Sequence, residues 1–203
     1  MEDSGNPDVL FQEMKNGNRE AYAQIYQLYF TNLYEYGLRL ASEKDLVMDS
    51  IHDLFVKIWT KRNDLGVVEN LKAYLLVSLR RILNNKLQSG KKTRSVNPED
   101  DLFFELRFST ESQYFKKLEE TDRRQRLLQA MDQLSSRQKE MIYLRYFEEL
   151  GYDEIASVMD ITIKGAYKLS ARSLESLRDM LSISTTALLI LLALVREEVL
   201  NGI

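Results

Sequence analysis

The stretch GYDEIASVMDITIKGAYKLSAR, from Gly151 to Arg172, decides the fold. Gly151 breaks the chain, and Ile155-Ala156 with Val158-Met159 predicts a short helix after it. Asp160-Ile161 then predicts a turn, and Thr162 caps a second helix. Two short helices joined by a tight turn have helix-turn-helix spacing. The second of them is unusual in its charge. Lys164, Lys168 and Arg172 stand at i, i+4 and i+8, with Tyr167 beside them and no acid between Thr162 and Arg172. A surface helix normally mixes both signs, whereas a helix that tracks phosphates is basic. Its N-terminal part is also what enters a DNA major groove.

Upstream, Leu127, Leu128, Met131 and Leu134 make an apolar stripe. Ser135-Ser-Arg-Gln138 matches a capping box, in which serine and a glutamine three residues on satisfy each other's backbone amides. Met141, Ile142, Leu144, Tyr146 and Phe147 continue the pattern, so a helical module fills 119–181. Downstream, 183–195 is almost free of charge and Leu188 to Val195 is wholly apolar. Thirteen residues fall short of the roughly twenty that span a bilayer. A helix apolar on every side must still be hidden, by docking on the chain itself, by self-association or by a partner.

The first half carries its own helices. From Val9 to Ala41 apolar residues recur at helical spacing (Ala21, Ile25, Leu28, Tyr29, Leu33, Tyr36, Leu40). Ser42 offers an N-cap for a helix with the stripe Val47, Met48, Ile51, Phe55, Ile58 and Trp59. The polar loop Lys61–Gly66 ends it, and a further helix runs from about Glu69 to Gln88. On that helix Leu71, Leu75, Leu79 and Ile82 share one stripe. Arg80, Arg81, Asn84, Asn85, Gln88, Lys91 and Lys92 fall within an arc of about 140° opposite. Residues 71–94 hold seven Lys/Arg and no acid, inside a chain whose first 70 residues balance at −5 (seven basic against twelve acidic). Amides among cations suit base edges and phosphates together.

Residues 91–118 turn from basic to acidic around Pro98 and read as a linker, which Leu102, Phe103 and Phe104 interrupt. The sequence therefore predicts an all-α chain with two helical domains (9–90 and 119–181) joined by a flexible linker (91–118). The second contains the helix-turn-helix, and an apolar tail (182–203) follows it.

Composition excludes several functions. With no cysteine there is no disulfide, zinc–thiolate site or thiol nucleophile, which fits a reducing cytoplasm. His52 is the only histidine, a poor basis for a metal or acid–base site, and no nucleophile–base or metal set stands out, so neither enzyme nor cofactor is expected. The polar, acidic N-terminus reads as no secretory signal. A net charge of −3 argues against tight DNA binding by the chain alone.

Several segments together resemble a known family. Leu28-Tyr-Phe-Thr-Asn-Leu-Tyr34, Asp49-Ser-Ile-His-Asp-Leu-Phe-Val-Lys-Ile-Trp59 and Leu71-Lys-Ala-Tyr-Leu-Leu76 are similar to successive signatures of the conserved helical domain of sigma factors. Leu134-Ser-Ser-Arg-Gln-Lys-Glu-Met-Ile-Tyr-Leu-Arg-Tyr146 and Tyr152-Asp-Glu-Ile-Ala-Ser-Val-Met159 resemble their promoter-reading C-terminal domain. Order and separation match the extracytoplasmic-function (ECF) class of RNA polymerase sigma factors. Ile163-Lys-Gly-Ala-Tyr-Lys168 resembles the Bacteroidetes-type branch, although many members have Thr-Val-Lys where this chain has Gly165-Ala-Tyr167.

The resemblance implies roles. Asp49 and Asp53 would face the polymerase clamp. Lys61, Arg62 and Asn63 lie in the loop to Asn70 that would capture a flipped promoter base. The 71–94 helix would lie on the minus-ten DNA, and Lys164, Tyr167, Lys168 and Arg172 would read the minus-thirty-five element, with Arg137 also on DNA. Core RNA polymerase, promoter DNA and an anti-sigma factor are the implied partners, and the linker would thread the polymerase. Two other readings compete: a polymerase-independent helix-turn-helix regulator, and a membrane-tethered adaptor using the apolar tail.

Overall fold

A computed structural model describes residues 6–90, 104–105 and 118–201, with side chains described over 6–89, 104–105 and 125–197. The described residues form helices and turns only. They divide into two compact units, Met1–Phe103 and Phe104–Ile203.

The first unit begins with α1 (Pro7–Lys15), where Asn6 accepts from the Asp8 amide at 3.0 Å and Pro7 occupies the first turn. The single helical run expected over 9–41 is broken. Asn16-Gly17-Asn18 intervenes, with Gly17 at φ +91°, a left-handed conformation natural to glycine. Asn18 then caps α2 (Arg19–Leu40) by accepting from the amides of Glu20 and Ala21 at 2.9 and 3.2 Å. The next helix, α3 (Lys44–Thr60), starts after Glu43, one residue later than a Ser42 cap would place it, and Glu43 makes no side-chain cap. A 3-10 turn, Arg62–Asp64, follows. Asn70 caps α4 (Leu71–Gly90), accepting from the Ala73 amide at 3.2 Å.

Helices α2, α3 and α4 pack mutually around Leu33, Tyr36, Ile51, Leu54, Phe55, Leu75, Leu76 and Leu79. Gly37 permits the α2–α3 approach: a Cβ there would lie 2.6 Å from Val47 Cγ1. The buried stripe of α4 is broader than expected. It takes in Leu76 and Leu83, and leaves Ile82 half-buried, because a 3.6-residue period drifts across a four-residue spacing and two neighbouring helices share the face.

In the second unit, α5 (Leu118–Asp132) leads to α6 (Ser136–Ile142), whose capping box forms: Gln138 N–H donates to Ser135 Oγ and Ser135 N–H to Gln138 Oε1. A π-helical turn, Tyr143–Phe147, continues it with Tyr143, Leu144 and Phe147 buried. Then come α7 (Tyr152–Met159), α8 (Ile163–Leu181) and α9 (Thr185–Asn201). Asp160 bridges α7 to α8 at φ 54°, a conformation that a short polar side chain tolerates.

Two segments beyond the expected module join this core. Phe104 is buried against Tyr143, with ring centroids 5.5 Å apart, and its amide donates to Ser136 Oγ. The tail helix α9 bends back at 96° to α8 and buries Leu188, Leu192 and Val195 on the π turn, α5 and α8. Arg196 fastens its far end to Glu149, Nη2 to Oε2 at 2.6 Å. The tail therefore docks within its own unit, while Leu189, Ile190 and Leu194 remain exposed. Among the described residues no single helix is long and apolar enough to cross a membrane.

Candidate nucleic-acid interface

The α7–turn–α8 segment presents the first candidate face. Thr162 Oγ1 accepts from the Gly165 amide at 3.0 Å, which starts α8 cleanly. Lys164, Lys168 and Arg172 are exposed along one side, and Tyr167 is 56% exposed among them. Opposite them Ala166, Ser170, Ser173 and Leu177 are buried. The basic, acid-free first part of α8, to Arg172, therefore faces outward on a helix whose other side is core, while exposed Glu175 and Asp179 follow toward its end.

Tyr167 is supported from beneath. Its ring lies 4.0 Å from that of Tyr152 on α7, and Arg145 sits over the other partner, its Cζ 4.9 Å from the Tyr152 centroid. Arg145 Nη1 also donates to the Leu150 carbonyl at 2.8 Å, and the Tyr152 hydroxyl lies 3.2 Å from Ser170 Oγ. Next to this group, burial raises the Tyr146 phenol above its ordinary value, with Tyr152 adding to the rise and Arg145 and a hydrogen bond to Ser170 opposing it. Tyr146 thus stays neutral through the physiological range. Nothing in the spacing of Arg145, Tyr152 and Tyr167 announces this cluster, since only the α7–α8 crossing brings them together. Arg137, expected on DNA, is half-buried at the start of α6.

The second face lies on α4, in the first unit. Arg81, Asn85 and Gln88 are exposed, whereas Arg80 and Asn84 are half-buried. Gln88 Nε2 donates to Asn84 Oδ1 at 3.3 Å. Lys91 and Lys92 lie outside the described residues, as does Phe103. Lys86, another cation of this helix, lies outside that arc, and its Nζ meets Asp53 Oδ2 of α3 at 2.6 Å. Of the two acids expected to meet a partner, Asp49 is exposed and Asp53 already has this neighbour.

In the loop after α3, Lys61 and Asn63 are exposed. Arg62 turns inward, placing its guanidinium 4.6 Å from the Trp59 ring centroid and donating from Nη1 to the Trp59 carbonyl at 2.9 Å. A planar cation beside an indole gains more by stacking than by extending into water, so Arg62 does not stand in the loop's outer surface as its neighbours do. Lys15 Nζ ties the loop's far end through the Gly66 carbonyl at 3.3 Å. Among the described residues no group of three or more His, Cys, Asp or Glu could hold a metal ion.

Residues 124–177 match Sigma-70, region 4. The region 4 match runs from within α5, through the helix-turn-helix, to Leu177 on α8; α9 lies beyond it. Two solved structures share the fold of most of the chain. One is a chain in the structure of CnrH in complex with the cytosolic domain of CnrY, with 17% identity and TM-score 0.56, covering 87% of this chain and 98% of that one. The other is a chain in the co-crystal structure of the sigma factor RpoE in complex with the anti-sigma factor NepR from Bartonella quintana, with 24% identity and TM-score 0.56, covering 80% and 98%. No curated protein matches in sequence.

Proposed function

We propose that this chain is an ECF sigma factor of the Bacteroidetes type, a cytoplasmic protein that binds core RNA polymerase and directs promoter recognition, DNA opening and transcription initiation. The observation that carries the reading is the outward-facing, acid-free run of α8 from its start to Arg172, within a region 4 helix-turn-helix. In this reading Lys164, Tyr167, Lys168 and Arg172 read the upstream promoter element. Arg81, Asn85 and Gln88, with Arg80, Asn84, Lys91 and Lys92, follow the downstream element, and Lys61 and Asn63 border the base-capture loop. Asp49 and Asp53 meet the polymerase clamp.

The two helical units act as the two promoter-binding domains, with the segment between them threading the polymerase. The protein itself makes and breaks no bond. A net charge of −3 suits this division of labour, since polymerase supplies the affinity that the chain alone lacks. An anti-sigma protein is the regulatory partner in this reading. Its support is the neighbouring RpoE structure, which holds that sigma factor with NepR.

Run-off transcription tests the proposal. Core polymerase with this chain should give promoter-specific transcripts from its native genome. Transcripts no greater than those of core alone would remove the reading. A specific shift of duplex DNA by the chain alone at moderate salt would favour a polymerase-independent regulator.

A further inference from the structure

The tail helix α9, beyond the region 4 match, buries only one side of itself. Leu188, Leu192 and Val195 face the core, while Leu189, Ile190 and Leu194 are 39%, 57% and 53% exposed. Thr186, Ala193 and Glu197 are exposed with them. At about 100° per residue, Thr186, Ile190, Ala193 and Glu197 lie within an arc of about 60° opposite the buried side. Leu189 and Leu194 border that arc. Successive steps of four, three and four residues make it a heptad seam, the spacing by which one helix packs on another.

The order of residues along the seam selects its occupant. A two-fold axis between Leu191 and Leu192 would pair the seam with an antiparallel copy of itself. Ile190 then lies opposite Ala193 of the second copy, large against small, and Thr186 lies opposite Glu197. The charges agree with the shapes. Glu197 is the one charged residue of the seam, and it meets the first turn of the second α9, which holds no acid and carries the positive end of the helix dipole. A parallel pair would set Glu197 against Glu197 and Ile190 against Ile190. The seam is its own complement in one orientation only.

A lipid surface fits less well, because interfacial helices border their apolar face with cations. Here the border is Glu197, and the neighbouring Arg196 is already engaged by Glu149.

We propose that the open side of α9 is a self-association surface, on which a second copy of this chain docks its own α9 antiparallel. The proposal is independent of the promoter reading above. Three large apolar side chains per copy bury much less than the ~800 Å² that each partner gives to a standard interface, so the dimer is weak, with a dissociation constant of about 10–500 µM.

Sedimentation equilibrium of the full chain tests this surface. The mass should rise with concentration from that of one chain toward that of two. Ile190→Glu should leave the melting curve of the dilute protein in place and weaken the dimer about tenfold or more. Glu197→Lys should weaken it about threefold or more. Since the chain has no cysteine, single cysteines report the register. A mixture of Thr186→Cys and Glu197→Cys chains should form a disulfide between the two variants. Neither variant should do so alone, because its two thiols would stand about 16 Å apart along the pair. A chain that stays monomeric to about 500 µM overturns the proposal, and retention of that monomer by phosphatidylcholine vesicles would give the seam to a lipid surface instead. Dimerisation of folded Ile190→Glu at the parent's strength also overturns it, as does each cysteine variant linking to itself as readily as to the other.

Discussion

Lys86 on α4 reaches across to Asp53 on α3, Nζ to Oδ2 at 2.6 Å, and so joins an acid expected to meet polymerase to the helix expected to lie on DNA. The pair is half-exposed, so it contributes at most about 1 kcal/mol to stability. Its consequence is for interpretation. Reversing Asp53 disturbs an internal contact as well as a surface, whereas reversing Asp49 changes the surface alone.

Asp49→Lys is therefore the cleaner probe of the clamp contact. It should weaken assembly with core polymerase by about tenfold or more, a decade being about 1.4 kcal/mol, and leave the melting temperature unchanged. Asp53→Lys should lower both, and the swap Asp53→Lys with Lys86→Asp should restore stability without restoring assembly. Native affinity of the folded Asp49→Lys chain, measured by titration with core polymerase, would remove the assignment.

The two basic faces should separate functionally. Lys168→Ala or Arg172→Ala should weaken protection of the upstream element in footprints of the holoenzyme. Arg81→Ala should mainly slow opening at the downstream one. Each lost contact to a duplex phosphate should also reduce the slope of log K against log salt by about 0.9. Equal salt slopes for parent and variants would make these faces solvated surface.

The tilted Tyr152–Tyr167 ring contact predicts a coupling. Single substitutions Tyr152→Leu and Tyr167→Leu should each impair promoter binding, and their double-mutant cycle should show about 0.5–1.5 kcal/mol of interaction, as aromatic pairs do. Additive effects would mean that Tyr152 does not orient Tyr167.

Docking of α9 leaves the basic first part of α8 uncovered. Its buried side faces the π turn, α5 and α8, and the cations of α8 remain exposed, so removing it should not unmask a DNA face. Leu188→Ala and Leu192→Ala should each cost about 2–5 kcal/mol of stability in urea denaturation of the second unit. Ile190→Ala, on the open side, should change it by no more than about 0.5 kcal/mol. Truncation that leaves the melting curve unmoved would show α9 to be dispensable to this core.

What could be read from the sequence was local. The capping box at Ser135 and Gln138, the Thr162 cap and the acid-free run to Arg172 all depend on residues within a turn or two of one another, and the chain writes them at fixed spacing. The break at Gly17 was equally local. Asn16-Gly17-Asn18 signals a turn, but the apolar period on either side masked it. Tertiary structure alone decided the contacts made between elements: Lys86 with Asp53, Tyr152 with Tyr167, Arg62 turned onto Trp59, and Phe104 drawn from the expected linker onto Tyr143. It also chose the buried side of α9. A helix apolar all round has no preferred face of its own, so Leu188, Leu192 and Val195 turn inward only because the groove between α5, α8 and the π turn is there to receive them.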